Sequence, residues 1–415
     1  MKFFINSYFG DNQSIGLLSH IKKRLPYGMD DQWMVFSHYT ERGWTVDNLW
    51  HIFTDFYGGQ YAPLAFLSYL VLYAGFGYDP FYFHMFSLLL HIGCVCLVWK
   101  LISSLLRVHG GVSEKQILYV NFITTLLFAV HPINVEAVAW ISALKVLLYA
   151  FFYLLGLLCY LRYIRTSKIF YYVLTIGCFL CSFWGKEQAV TFPLALLIVD
   201  WFTNRNMKNL EVWSEKMSFL IMAFFFGIST VLSQGKGPYE MIFPLYQRLL
   251  FGCFALVEYI TKSLLPVNLN FFYPFPIVLG EEPPLHYYLY PVVLLFLMGW
   301  IIAYRNNRYL VFGVLLFLVN LLFSIHLFNM SRHAIVADRY MYLSYVGIAF
   351  LIANGIWWLR KRLSYFKAAL VFLFFYCFFL SVYTFHYTKK WENTTMVKKY
   401  TKEVLEKRLN GSNHL

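Results

Sequence analysis

Polar residues in this chain act as punctuation between long apolar runs. A helix needs about 20 mainly apolar residues to cross a bilayer. Ten runs meet or approach that length, at about 81–106, 116–133, 143–164, 169–184, 188–202, 216–234, 285–304, 309–328, 339–359 and 367–387. An eleventh, 245–265, is apolar but carries Arg248, Glu258 and Lys262. The pattern predicts an all-α, polytopic membrane helix bundle of about 10–11 spanning helices. Parity bears on the eleventh run. If 245–265 lies flat at the interface, the basic loops at Arg162/Arg165/Lys168, Arg205/Lys208, Arg305/Arg308 and Arg360–Arg362 all fall on one side. If it spans, the last two change sides. Charges spaced along a helix suit an interfacial helix better than a lipid-facing one, so the first arrangement is preferred.

Composition agrees with a membrane protein. The 415 residues are 60% hydrophobic and 13% charged, about half the charge of a soluble domain, with a mean hydropathy of +0.56. Aromatic residues make up 21%, as expected where many helices meet lipid and its interfaces. The net charge of +13 does not point to nucleic acid. The basic residues sit in short clusters between apolar runs, as the positive-inside rule places them, and form no continuous basic face. All seven cysteines fall within apolar runs and read as small buried hydrophobes, not as a disulfide framework or zinc site.

The preferred arrangement puts 1–80, 134–142, 185–187, 235–284, 329–338 and the tail from Thr388 outside the cytoplasm. Three regions follow: an extracytoplasmic first loop, 1–80, with juxtamembrane helices; a transmembrane bundle, 81–387, with the loop 235–284; and a short basic tail, 388–415. The first eighty residues hold no complete spanning helix or signal-peptide pattern, and Lys22–Arg24 precede a loop placed outside. The expectation is that a preceding transmembrane helix is missing. A bacterial inner membrane is the preferred location over the endoplasmic reticulum.

Candidate chemistry gathers on the outer face. Asp30 and Asp31 are adjacent carboxylates before an aromatic stretch. They read either as solvated turn residues or as a base that activates an acceptor hydroxyl. Tyr61 opens a juxtamembrane helix. His84 and His91 lie two turns apart on one helix face, either as functional imidazoles or as satisfied buried histidines. His131 and Glu136 end one span, and Lys145 opens the next. Lys186 and Glu187 form a tight turn between spans. Lys145 and Lys186 are cations on the side where cations are disfavoured, which fits an anionic phosphate; an ion pair of Lys186 with Glu187 or Glu136 is at least as common an arrangement. Arg339 is a second phosphate candidate, which Asp338 could orient. The closest glycine pair, Gly235 and Gly237, makes no dinucleotide or P-loop fingerprint, so any transferred group must come from a donor carried by the membrane. No metal site is read from these residues, and a divalent metal requirement stays open.

Taken in order, these segments resemble the GT-C glycosyltransferase superfamily, and more closely the transmembrane and TPR-containing O-mannosyltransferases with their bacterial relatives. The resemblance is carried by Asp30-Asp31; Tyr61 with Pro63-Leu64; Asp79-Pro80 through His84 and His91; His131-Pro132 through Glu136 to Trp140; Lys186-Glu187 through Pro193 to Asp200-Trp201; Phe272-Tyr273-Pro274; and Ala337-Asp338-Arg339-Tyr340. It implies a GT-C-like fold and a hexosyltransferase using a polyprenyl- or dolichyl-phosphate sugar as donor, acting on an acceptor protein, lipid or glycan hydroxyl with inversion. Asp30 or Asp31 becomes the base, and Arg339, Lys186 and Lys145 the cations facing the donor phosphate. The chain departs from the family at Ala62, where relatives commonly have His; after Trp140, where they are richly charged; in the missing first helix; and in the absent TPR array.

Two other classes compete. A transporter or lipid flippase usually shows internal repeats and broken helices in matching positions, and neither is found. A degenerate, non-catalytic partner subunit is favoured by Ala62 and the missing helix, and opposed by Asp30-Asp31 and Arg339.

Overall fold

The computed structural model describes residues 30–234, 243–327 and 334–412; Lys22–Arg24, Gly235 and Gly237 lie outside them. Three short helices come first: α1 (Asp31–Met34), α2 (His38–Glu41) and α3 (Val46–Thr54). The Thr45 hydroxyl caps α3 by accepting from the Asn48 N–H, satisfying one of the donors that a helix start leaves open. Next is α4 (Pro63–Phe76), a helix where the sequence predicts one. Asp79 caps α5 (Pro80–His109) with Pro80 in the first turn, where a missing N–H costs nothing. Ser113 caps α6 (Glu114–Val130). His131-Pro132 then stops α6, because a proline removes a helical hydrogen bond, and α7 (Val135–Ala139) leaves at a 50° bend.

The remaining helices are α8 (Leu144–Thr166), α9 (Ile169–Gly185), α10 (Phe192–Phe202), α11 (Leu210–Gln234), α12 (Leu245–Leu264), α13 (Leu289–Ala303), α14 (Arg308–Leu321), α15 (Met341–Trp358), α16 (Leu363–Thr388) and α17 (Thr394–Ser412). The only strands among the described residues are β1 (Tyr273–Pro274) and β2 (Ala334–Val336), paired antiparallel. The protein is an all-α polytopic bundle. Among the described residues, six helices are long and apolar enough to cross a membrane alone, and seven if the bent α6–α7 pair counts as one span. Other predicted spans form shorter helices, such as the 17-residue α9 and the 11-residue α10.

Burial sorts the helices by position. In its most apolar stretch α8 is 78% buried, whereas the span containing α13 is 6% buried. Thus α8 is the central post, packed against α5 and α9, while α13 rests on the rim against α12. A Cβ on Gly347 of α15 would strike the backbone at Gly313 and Phe317 of α14, and one on Gly313 would strike the Leu351 side chain, so these helices approach closely, as small residues allow in membranes. On α12, Phe251, Gly252, Ala255, Tyr259 and Lys262 face inward. Lys262, read from sequence as a mark of an interfacial helix, is buried with Asp338 3.7 Å away.

Opposite the candidate site, the bundle closes on a charge network. Asp200 and Lys216 are fully buried and ion-paired, and Arg205 bonds Glu215 at 2.6 Å and Asp200 at 3.1 Å. The Tyr160 hydroxyl donates to Asp200 at 2.8 Å. Arg205, expected in a solvated basic loop, is instead part of this lock. Removing one partner of a buried pair strands the other's charge, at a cost of about 3–5 kcal/mol. Asp200→Leu is therefore expected to lower the thermal midpoint strongly, and Asp200→Leu/Lys216→Met to recover most of it, measured by thermal unfolding in detergent. A double variant no more stable than the single one contradicts this account.

Candidate functional site

One end each of α1, α7, α8, α9 and α15 meets at the same end of the bundle. A tight hairpin precedes α4: Tyr57 and Gln60 pair across Gly58 and Gly59, which hold φ +60° and +72°, the positive values such a two-residue turn requires. It presents Gln60 to Lys145, whose ammonium donates to the Gln60 side-chain oxygen and lies 3.7 Å from the Met34 sulfur. At the end of α9, a Cβ on Gly185 would collide with the backbone at Tyr149. The glycine lets α9 press onto α8, so that Lys186 and Glu187 emerge beside Lys145.

The two acidic residues of the first loop have different surroundings. Asp31 is buried, and its carboxylate accepts from the Ser142 N–H at 3.0 Å, the Ser142 hydroxyl and the Trp140 indole N–H at 3.2 Å. Burial pushes its carboxyl up to about 7, against the opposing pull of those hydrogen bonds. Asp30 is half-buried and caps α1 without a side-chain hydrogen bond. Its charge, and that of Glu187, acts on Lys145, as does the charge of Arg339.

Arg339 is held from two sides. Glu136, fully buried, accepts from the guanidinium at 2.6 Å and from the Arg339 backbone N–H at 2.7 Å. The guanidinium stacks over Trp140 at 5.3 Å and Tyr340 at 5.2 Å. Lys186 reaches the other contact of that tyrosine, its ammonium 4.6 Å from the Tyr340 ring centre. Asp338 turns away from Arg339: it accepts from the Tyr273 hydroxyl at 2.9 Å and the Asn270 N–H at 3.2 Å. It anchors the start of α15 and does not orient the guanidinium.

The structure thus brings Asp30, Asp31, Glu136, Lys145, Lys186, Glu187 and Arg339 to one end of the bundle. The other predicted residues are placed elsewhere. His91 bonds the Tyr342 hydroxyl at 2.7 Å within the helices. His131 accepts from the Ile133 N–H and packs on Tyr345, so it shapes the α6–α7 bend. Tyr61 donates to the Phe53 carbonyl at 2.9 Å, and no hydrogen bond joins His84 to the cluster among the described residues. Sequence reasoning missed Gln60, Trp140, Ser142 and Asn270 as supports. Only Gln60 carried a signal, the glycine pair before it. Among the described residues no group of three His, Cys, Asp or Glu could hold a metal ion.

The arrangement can bind an anion between Lys145, Lys186 and Arg339 while Asp30 or Glu187 takes a proton. Asp31 is structural to it. Asp31→Ala would leave the Ser142 and Trp140 donors buried and unpaired, at about 1–3 kcal/mol per group; Asp31→Asn keeps an acceptor and is expected to lose less. Because the folded state holds the Asp31 proton up to about 7, whereas an exposed carboxyl releases it near 4, stability from this group falls as pH rises through that window. Thermal midpoints between pH 4.5 and 8 are expected to show a smaller decline in Asp31→Asn than in wild type. Equal slopes would refute the assignment.

The chain was compared with known proteins. No protein-family model matches it, and no solved structure matches. Among curated proteins, it is 31% identical over 213 residues to the human "Protein O-mannosyl-transferase TMTC2", covering 47% of this chain and 24% of that protein. It is 30% identical over 203 residues to the Xenopus laevis protein of the same name, covering 45% and 23%. It is 28% identical over 172 residues to "Protein O-mannosyl-transferase Tmtc3" of Drosophila melanogaster, covering 37% and 18%. The matched part spans about a quarter of these relatives' length or less. The family resemblance read from the motifs is therefore borne out: the chain is similar in sequence to proteins named as O-mannosyl-transferases.

Proposed function

We propose that this protein is a GT-C-type membrane glycosyltransferase. It moves a hexose, mannose by analogy with its relatives' names, from a polyprenyl- or dolichyl-phosphate donor to an acceptor hydroxyl on the extracytoplasmic face. The observation that carries the reading is a carboxylate, Asp30, which has no side-chain hydrogen bond among the described residues and lies within electrostatic reach of Lys145 and Arg339. A base and an anion site must face each other for this reaction.

The chemistry follows from those roles. Asp30 accepts the proton of the acceptor hydroxyl as its oxygen attacks the sugar's anomeric carbon. The bond from that carbon to the donor phosphate oxygen breaks on the opposite side, so the anomeric configuration inverts. The departing lipid phosphate gains negative charge, which Arg339, Lys186 and Lys145 stabilise because their positions are fixed before the reaction begins. Asp31 holds the acidic turn in place through Ser142 and Trp140. The acceptor is a protein hydroxyl if the relatives' names carry over. A lipid-linked donor requires a membrane supplying polyprenyl-phosphate sugars, and a bacterial inner membrane remains part of the proposal.

One observation favours a competing reading, a non-catalytic partner subunit: Arg339 is already engaged by Glu136 through both its side chain and its backbone. The deciding experiment is transfer from a panel of polyprenyl-phosphate sugars by purified protein. Wild type is expected to form product, and Asp30→Asn to lose about 10²–10⁴-fold in kcat, the usual worth of a positioned base. Asp31→Asn is expected to fall less far. Folded wild-type protein that gives no product from any donor would favour the partner-subunit reading.

A further inference from the structure

The tail has no part in the chemistry described so far, yet it reaches the site along two routes. The first is aromatic. Trp391, at the turn between α16 and α17, is buried and packs on Trp140 with ring centres 6.2 Å apart and planes 32° apart. Phe271 closes the same cluster, 6.2 Å from Trp140 and 6.5 Å from Trp391. Trp140 is also the residue whose indole N–H bonds Asp31 and whose ring lies under the Arg339 guanidinium. Its two polar partners are thus the acidic turn and the favoured phosphate cation, and its apolar partner is the tail.

The second route is polar. On α17, Val397, Thr401 and Val404 are buried at i, i+4 and i+7, one face of a helix. The Thr401 hydroxyl donates to the Asn270 side-chain oxygen at 2.7 Å. The Asn270 backbone N–H donates to Asp338, which precedes Arg339. A solvated tail helix needs neither a buried threonine nor a buried tryptophan. Both tail contacts end one residue contact away from a group assigned to the site.

We propose that the C-terminal segment is a positioning element of the site, with Trp140 as the positioning residue through which Trp391 acts on Asp31 and Arg339. Displacing α17 loosens both ends of the reaction centre together, so anything bound to the tail is coupled to the acidic turn. The catalytic consequence rests on the proposed glycosyltransferase function; the mechanical coupling does not.

The test uses full-length protein in lipid nanodiscs and hydrogen–deuterium exchange, which needs no substrate. In Trp391→Ala, exchange is expected to rise in the tail and also across 30–41 and 138–146, with the far network at 200–216 unchanged. Trp391→Phe, which keeps an aromatic contact, is expected to restore the wild-type pattern. A rise confined to the tail overturns the proposal. So does an even rise through the whole bundle, which would make the tail a general stabiliser. Where transfer is measurable, Trp140→Phe keeps the ring and loses only the N–H, and is expected to cut kcat about tenfold, the worth of one good hydrogen bond. The KM for donor is expected to hold. An unchanged kcat, or a loss carried by KM instead, overturns the role of Trp140. Absence of transfer in wild type counts against the functional reading alone and leaves exchange to decide this one.

Discussion

A single buried carboxylate holds one end of this bundle together. Glu136 is fully buried and meets both the guanidinium and the backbone N–H of Arg339. Such a charge is tolerable inside a protein only when fully paired. The pairing therefore fixes where α7 lies against the start of α15. Because Trp140 and Ser142 follow Glu136 within six residues, the same contact decides where Asp31 is held. Because Asp338 precedes Arg339, it also decides where β1 and the Asn270 loop attach. The acidic turn and the cations are placed relative to each other through this one pair.

The two ends of the bundle use charge differently. At the far end, Asp200, Glu215, Arg205 and Lys216 neutralise one another with Tyr160 between them. Within that network each charge has an opposite partner. At the near end Asp30 and Glu187 form no ion pair among the described residues, while Lys145 is held by an uncharged partner, Gln60. A neutral partner satisfies an ammonium's hydrogen bonding without cancelling its field, so Lys145 retains electrostatic potential that the buried network around Asp200 has spent on its own cohesion.

Much of the fold was legible because lipid imposes a simple rule on sequence. Apolar runs of sufficient length had to be helices, and the breaks at His131-Pro132 and Asp79-Pro80 fell where proline chemistry puts them. Helix length was less legible. The run at 188–202 is as apolar as a full span, but its α-helix starts only at Phe192, with Pro193 in the first turn. That Asp31, Lys145, Lys186 and Arg339 share one end of the bundle could be read from counting segments. Their partners could not: Asp31 meets Ser142 across 111 positions, and Arg339 meets Glu136 across 203. The histidines misled for a related reason. Imidazole in an apolar run marks a polar need, and a neighbouring hydroxyl or N–H within the bundle meets it for His91 and His131.

The rim position of α13 has a consequence for how such a protein can vary. Phe296 and Leu295 are 78% and 60% exposed, so their neighbours are fluid acyl chains, which adapt to any apolar shape. Substitution among Leu, Ile, Val and Phe there leaves no cavity to fill and causes no clash. On α8, Tyr153 and Leu157 meet protein on every side, and the same exchange would misfit fixed neighbours. Along α13 only length and apolarity are under constraint, and two chains with the same fold could share almost no letters there.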